Sequence, residues 1–330
     1  MFHIKILRFV AVIVLILLIF SACAPKASPT QAATPVTVQL KWINQAQFSG
    51  FYIAADKGYY QAENINIKFS PGGTGIDIVK QVTSGQTQFG VTDADVIIIS
   101  RSQGTPVKAL ATIFRRDPFV IVTLPESVIK RPQDLIGKTI NIGGTDGLVQ
   151  FKAMMSELGL DVNKVYIVPY SYDLQPFYSG KIDATPAIAA GSLIGILNQR
   201  PDATLIWAED YGIHFYADTL FTTDQMIAGN PDLVLRFLRA TLKGEQYAVE
   251  NPDEAAQVSL HYAQNSTLAV QSQMMVASIP FINTGEDHIG WMKPETWTGM
   301  QKTLSDQGLL TAPLDVNQAY TLQFLQEIYK

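Results

Sequence analysis

Cysteine is almost absent from this chain, since Cys23 is the one cysteine in 330 residues. Anything folded beyond it has neither an internal disulfide nor a cysteine metal site, so its stability must come from a buried core. Histidine is scarce too. His3, His214, His261 and His288 stand far apart, without the spacing of metal ligands. There is no Gly-x-Ser-x-Gly elbow, and no catalytic residue, metal or cofactor is expected. Basic charge is in deficit, 24 Lys and Arg against 29 Asp and Glu, which argues against nucleic acid as a partner. The longest unbroken apolar run, Phe9 to Phe20, is well short of the roughly 20 residues that span a bilayer.

That run follows Lys5 and Arg8 and has the form of a secretory signal. Ser21-Ala22-Cys23 comes next and resembles the lipobox of bacterial lipoproteins, with Phe20 where Leu is usual. The resemblance implies a signal peptide over 1–22, acylation of Cys23, and anchorage to the cell membrane on its extracytoplasmic face. The other reading is an ordinary export signal in which Cys23 is incidental. Residues 23–35 are mostly Ala, Pro, Ser, Thr and Gln and read as a flexible tether. Losing Lys5 and Arg8 from 24 basic residues leaves 22 against 29 acidic, a formal charge of −7.

From Pro35 onward short β-branched runs alternate with helical stretches, the pattern of an α/β fold with mostly parallel sheets. Strands are expected at Val36 to Leu40, Ile65 to Phe69, Phe89 to Val91 and Val107 to Phe114, with a helix over Gln47 to Lys57. A second series has strands at Phe119 to Leu124, Thr139 to Ile142, Val165 to Val168 and Ala184 to Ile188. One further strand is read at Phe215 to Thr222, and the pattern after Asn230 is helical. Asn230-Pro231 and Asn251-Pro252 look like capped helix starts. Two lobes follow, 36–117 with 212–330 and 118–211, joined by a hinge around Arg115 to Pro118 and Ala208 to Tyr216.

Two fragments imitate nucleotide-binding signatures. Gly137-Lys138-Thr139 has the end of a P-loop but precedes a strand instead of following one, so it reads as a turn. Gly72-Gly73-Thr74-Gly75 lacks the last glycine of the dinucleotide fingerprint, though its N–H groups lie where they could touch a ligand. In open α/β sheets ligands bind beyond the carboxyl ends of strands. Trp42, Asn44, Gln45 and Phe48 follow the first strand, Asp93 the third, Thr145 the strand at 139–142, and Tyr170, Tyr172 and Asp173 the strand at 165–168. Asp210 and Tyr211 join them at the second crossing, beside His214. Aromatic faces with amides and carboxylates suit a flat heteroaromatic ligand. For Phe48 and for Tyr52 on the same helix, core packing is an equal alternative.

Several stretches together resemble the NMT1/THI5-like solute-binding proteins. They are Leu40-Lys41-Trp42-Ile43-Asn44-Gln45-Ala46-Gln47-Phe48-Ser49-Gly50-Phe51-Tyr52, Ala55-Asp56-Lys57-Gly58-Tyr59-Tyr60, Ser84-Gly85-Gln86 before Phe89-Gly90-Val91, Asp134-Leu135-Ile136-Gly137-Lys138 and Gln246-Tyr247-Ala248-Val249-Glu250-Asn251-Pro252. The resemblance implies a two-lobed type II periplasmic-binding fold and delivery of a vitamin compound to an ABC permease. The Trp-x-x-Gln-Ala-Gln-Phe opening is similar to riboflavin-binding importer subunits, and relatives that bind thiamine-precursor pyrimidines provide the alternative. Fungal enzymes of thiamine-pyrimidine synthesis also belong to the group, but they use a cysteine-rich iron motif that this chain lacks.

Overall fold

The computed structural model describes residues 32–144 and 147–330. The signal segment, Cys23, most of the tether and Thr145 lie outside the described residues. Among the described residues ten strands are present: β1 (Thr34–Gln39), β2 (Ile65–Ser70), β3 (Phe89–Thr92), β4 (Val107–Thr112), β5 (Phe119–Thr123), β6 (Thr139–Gly143), β7 (Tyr166–Pro169), β8 (Ala184–Ile188), β9 (Thr204–Trp207) and β10 (Thr219–Thr223). The helices between β1 and β5 are α1 (Ser49–Asp56), α2 (Tyr59–Ala62), α3 (Ile78–Thr83) and α4 (Ala94–Ser102). The second series carries α5 (Gly147–Glu157), α6 (Gln175–Tyr178) and α7 (Ser192–Gln199). The tail adds α8 (Asp224–Gly229), α9 (Pro231–Glu250), α10 (Pro252–Tyr262), α11 (Leu268–Ile282), α12 (Pro294–Asp306) and α13 (Gln323–Ile328).

Two five-stranded sheets result, ordered β2-β1-β3-β10-β4 and β7-β6-β8-β5-β9. Each is parallel apart from one strand: β10 runs antiparallel to β3 and β4, and β5 antiparallel to β8 and β9. The chain passes from the first sheet to the second through 113–118 and returns through 208–218. These antiparallel strands begin, rather than end, at the edge where the parallel strands finish, so both crossings open onto that edge.

Helix α9 organises the first lobe. Phe237, Thr241, Gly244, Glu245 and Ala248 recur at helical spacing on its buried face. Phe237 stacks on Phe89 with centroids 3.9 Å apart, and Tyr60 bonds Thr241 across 2.8 Å. Gly244 and Gly50 let α9 and α1 touch backbone to backbone, because a Cβ at Gly244 would lie 2.2 Å from the Gly50 carbonyl oxygen. In the second lobe α5 packs through Phe151, Met154 and Met155. Its first residue must be small, since a Cβ at Gly147 would fall 2.2 Å from the Phe119 ring.

Several local expectations need correction. β1 begins at Thr34, whose N–H donates to Asn64 O at 2.9 Å, so the strand takes in the last two residues read as tether. The helix read over Gln47 to Lys57 starts with a 3₁₀ turn, Ala46–Phe48. Neither Asn230 nor Asn251 caps the helix after it through its side chain. The Asn251 amide donates instead to Tyr247 O at 3.0 Å, satisfying a carbonyl at the end of α9. Only Thr219 to Thr222 of the Phe215 to Thr222 run is strand, β10 then continuing to Thr223, and β9 was not anticipated.

Candidate functional site

The segment after β1 is held from several sides. The Lys41 ammonium donates to Asp93 Oδ1 at 2.5 Å and to Asp218 Oδ1 at 3.4 Å. The Gln47 amide donates to Asp218 Oδ2 at 2.6 Å, and Gln45 donates to Gln47 Oε1 at 2.7 Å. Ala46 N–H donates to Gln271 Oε1 on α11 at 2.6 Å. The Trp42 carbonyl accepts from Gly72 N–H at 2.9 Å. Gly72 permits this approach because a Cβ there would lie within 2.6 Å of the Lys41 backbone. The glycine-rich turn therefore packs on the β1 loop through its backbone.

Asp117, in the first crossing, accepts from Phe119 N–H and from the Gln150 amide on α5, both at 2.8 Å. Burial and the nearby Asp93 charge push its carboxyl up to about 7, against the pull of Lys41 and the two hydrogen bonds. Burial likewise raises the Asp218 carboxyl, with Lys41 opposing. Burial works against the Lys41 charge, but Asp93 and Asp218 outweigh it and hold the ammonium well above the usual lysine range. Residues 41, 93, 117 and 218 thus form one electrostatic unit where the lobes meet. Among the described residues no group of three or more His, Cys, Asp or Glu is placed to hold a metal ion.

The residues picked out from the sequence fall into distinct environments. Trp42 is half-buried against the core. Asn44 Oδ1 accepts from the Tyr52 hydroxyl at 3.0 Å, and Tyr52 stacks on Tyr262 with centroids 4.1 Å apart. Phe48 is completely buried and packs in the core of the first lobe, as does Tyr52; in this conformation Phe48 offers no ligand surface. Asp93 is buried in the ion network. Tyr170 and Tyr172 meet edge to face at 5.2 Å, and Tyr172 is 72% exposed. Asp173 is exposed and accepts from Gln175 N–H at 3.0 Å as α6 begins. Asp210 is exposed and Tyr211 half-buried, both on the 3₁₀ turn Ala208–Tyr211. His214 is exposed, 3.7 Å from Glu209. Gly137 lies in a turn before β6, as expected.

Lys41, Asp117, Asp218 and Gln150 were not anticipated. Exposed apolar side chains mark the same edge: Ile43 and Ile76 after β1 and β2, Tyr172 and Ile188 at the ends of β7 and β8. Among the described residues no helix is long and apolar enough to cross a membrane.

A family model described as NMT1/THI5 like matches residues 45–255. The riboflavin-binding protein RibY of Chloroflexus aurantiacus is 30% identical, the alignment covering 97% of this chain and 98% of that protein. The formylaminopyrimidine-binding protein of Halalkalibacterium halodurans is 23% identical, over 96% and 98%. Among solved structures, the putative periplasmic sulfonate-binding protein SsuA of Methylobacillus flagellatus superposes with a TM-score of 0.71 at 16% identity, over 91% of this chain and 94% of that one. The architecture is the two-lobed α/β fold of periplasmic binding proteins, and the chain belongs to the NMT1/THI5-like family.

Proposed function

We propose that this protein is the extracytoplasmic substrate-binding component of an ABC importer and that it captures riboflavin between its lobes. The observation that carries the reading is end-to-end similarity to a riboflavin-binding protein. The Trp42 and Tyr172 rings, beyond strand ends of opposite lobes, support it as stacking surfaces for a tricyclic ring. Asn44, Gln45 and Asp93 supply polar groups toward ring nitrogens and carbonyls. The protein acts by stoichiometric capture, not turnover, and hands its ligand to a membrane permease. Acylated Cys23 anchors it, and the lobes are 34–117 with 212–330 and 118–211, the first taking in the whole of β1.

Binding of a thiamine-precursor pyrimidine is the second reading, favoured by the relative named for formylaminopyrimidine. Titration of the soluble part with riboflavin, followed by quenching of flavin fluorescence, tests the first reading directly. Saturable one-to-one quenching supports it. Absence of quenching together with calorimetric binding of the pyrimidine would transfer the assignment.

A further inference from the structure

The floor of the proposed cleft is unbalanced in charge. Asp93, Asp117 and Asp218 share the single ammonium of Lys41. The neighbouring arginines are committed elsewhere: Arg115 bonds Thr284, Asp287 and the Trp291 carbonyl, and Arg116 pairs with Glu209 at 2.6 Å. A second observation extends the imbalance inward. Glu245 is completely buried with neither carboxyl oxygen hydrogen bonded, and it feels the charge of Asp218. A region that already forces carboxyl groups toward their neutral forms has no capacity for another anion.

We infer that the network around Lys41 makes the cleft selective for ligands without an anionic group, so that a vitamin is taken and its phosphate monoester refused. The inference rests on the interlobe cleft being the ligand site. A phosphate monoester carries between one and two negative charges near neutral pH. In a partly buried site its repulsion from an excess of carboxylates is far less screened than in water. Neutral N–H and O–H groups meet acceptors there instead. Asp117 is the specificity-determining residue, because it lies between the lobes and its charge adds to that of Asp93.

The test compares affinities for riboflavin and riboflavin 5′-phosphate at pH 8 in the wild type, Asp117→Asn and Gln150→Lys. The first variant removes a negative charge, and the second adds a positive one beside the same carboxylate. The wild type should prefer riboflavin at least tenfold, and both variants should narrow that ratio severalfold by gaining affinity for the phosphate. Equal wild-type affinities overturn the inference. A large ratio unchanged in both variants also overturns it, by showing that exclusion is steric. Should only a thiamine-precursor pyrimidine bind, the riboflavin reading fails, and hydroxymethylpyrimidine with its phosphate, measured on the same three proteins, judges the selectivity by the same criteria. Binding of none of the four compounds overturns both.

Discussion

Glu245 lies directly over Gly50, and a Cβ built on that glycine would come within 2.0 Å of the Glu245 carboxyl carbon. Nothing donates to either oxygen, and burial, with a smaller contribution from Asp218, pushes the carboxyl up to about 8 from an ordinary 4.5. Between about pH 4.5 and 8 the folded chain keeps a proton that the unfolded chain has lost. The stability this group confers is therefore complete below the lower value, falls as pH rises, and levels off above 8. Glu245→Gln keeps the shape and removes the ionisation. Urea unfolding from pH 5 to 9 should show the variant gaining on the wild type by a few kcal/mol at most, about 1.4 per pH unit inside the window. Asp117 titrates in both proteins and cancels in the comparison, so parallel curves would refute the assignment to Glu245.

Trp42 and Tyr172 are the proposed stacking pair. Aromatic contacts contribute about 0.5–1.5 kcal/mol beyond buried area, and removing a large ring also leaves a void. Trp42→Ala and Tyr172→Ala should each weaken riboflavin binding about tenfold or more. Tyr166→Ala is the appropriate control, being 66% exposed at the start of β7, the opposite end of that strand from Tyr170. Tyr262 is unsuitable because it stacks on Tyr52, whose hydroxyl holds Asn44. Calorimetry decides, and unchanged affinity in both cleft variants would dismiss the stacking arrangement.

Most of the fold was legible because buried strands announce themselves as short apolar β-branched runs, as Phe119 to Leu124 and Ala184 to Ile188 do. β9 escaped because Thr204–Trp207 is only four residues long and follows a polar turn. The first part of the run from Phe215 misled for the opposite reason: Phe215 to Asp218 are all buried in the second crossing but lie outside any strand, and hydrophobicity reports burial, not pairing. The aromatic and amide residues of the proposed site were chosen by looking just after each strand. That rule misses Asp117 and Asp218, which precede β5 and β10. An antiparallel strand brings its first residues to the edge where parallel strands finish, and only the register reveals this.

Arg115 anchors the first crossing to the tail. It donates to Thr284 Oγ1 at 2.7 Å, Asp287 Oδ2 at 2.8 Å and the Trp291 carbonyl at 3.2 Å, and its side chain is 3% exposed. Breaking a buried charged network costs about 3–5 kcal/mol; with Asp287 one-third exposed, a loss of about 2–4 kcal/mol is expected for Arg115→Ala. Arg116→Ala removes an exposed pair and should cost less than about 1 kcal/mol. Equal losses in urea unfolding would mean that Arg115 is not the anchor.

Cys23 is the proposed anchor to the membrane. Cys23→Ser should move the protein from the membrane fraction to the soluble extracytoplasmic fraction with ligand affinity unchanged. A single acyl chain binds membranes only marginally, so partial loss of acylation should also release a measurable fraction. Retention of the cleaved variant on membranes would disprove lipidation at this residue.

Closure of the lobes is expected at the two crossings. Arg115 is fixed to the tail, and Ala94 N–H bonds Tyr216 O at 3.3 Å on the same side. Between these anchored ends and the second sheet lie Arg116, Asp117 and Pro118 on one crossing and Glu209 to Phe215 on the other, short stretches able to absorb the dihedral changes of a hinge. Arg116 and Glu209 join the two crossings at 2.6 Å, which favours their bending together. Ligand should bring the Tyr172 face toward Trp42 and lower the radius of gyration measured by small-angle X-ray scattering. Pro substitution at Gly212, whose φ of +85° proline cannot adopt, should disturb the second crossing and alter the unliganded scattering curve as well as the ligand-dependent change. An identical curve with and without saturating ligand in the wild type would establish a rigid cleft and exclude the hinge.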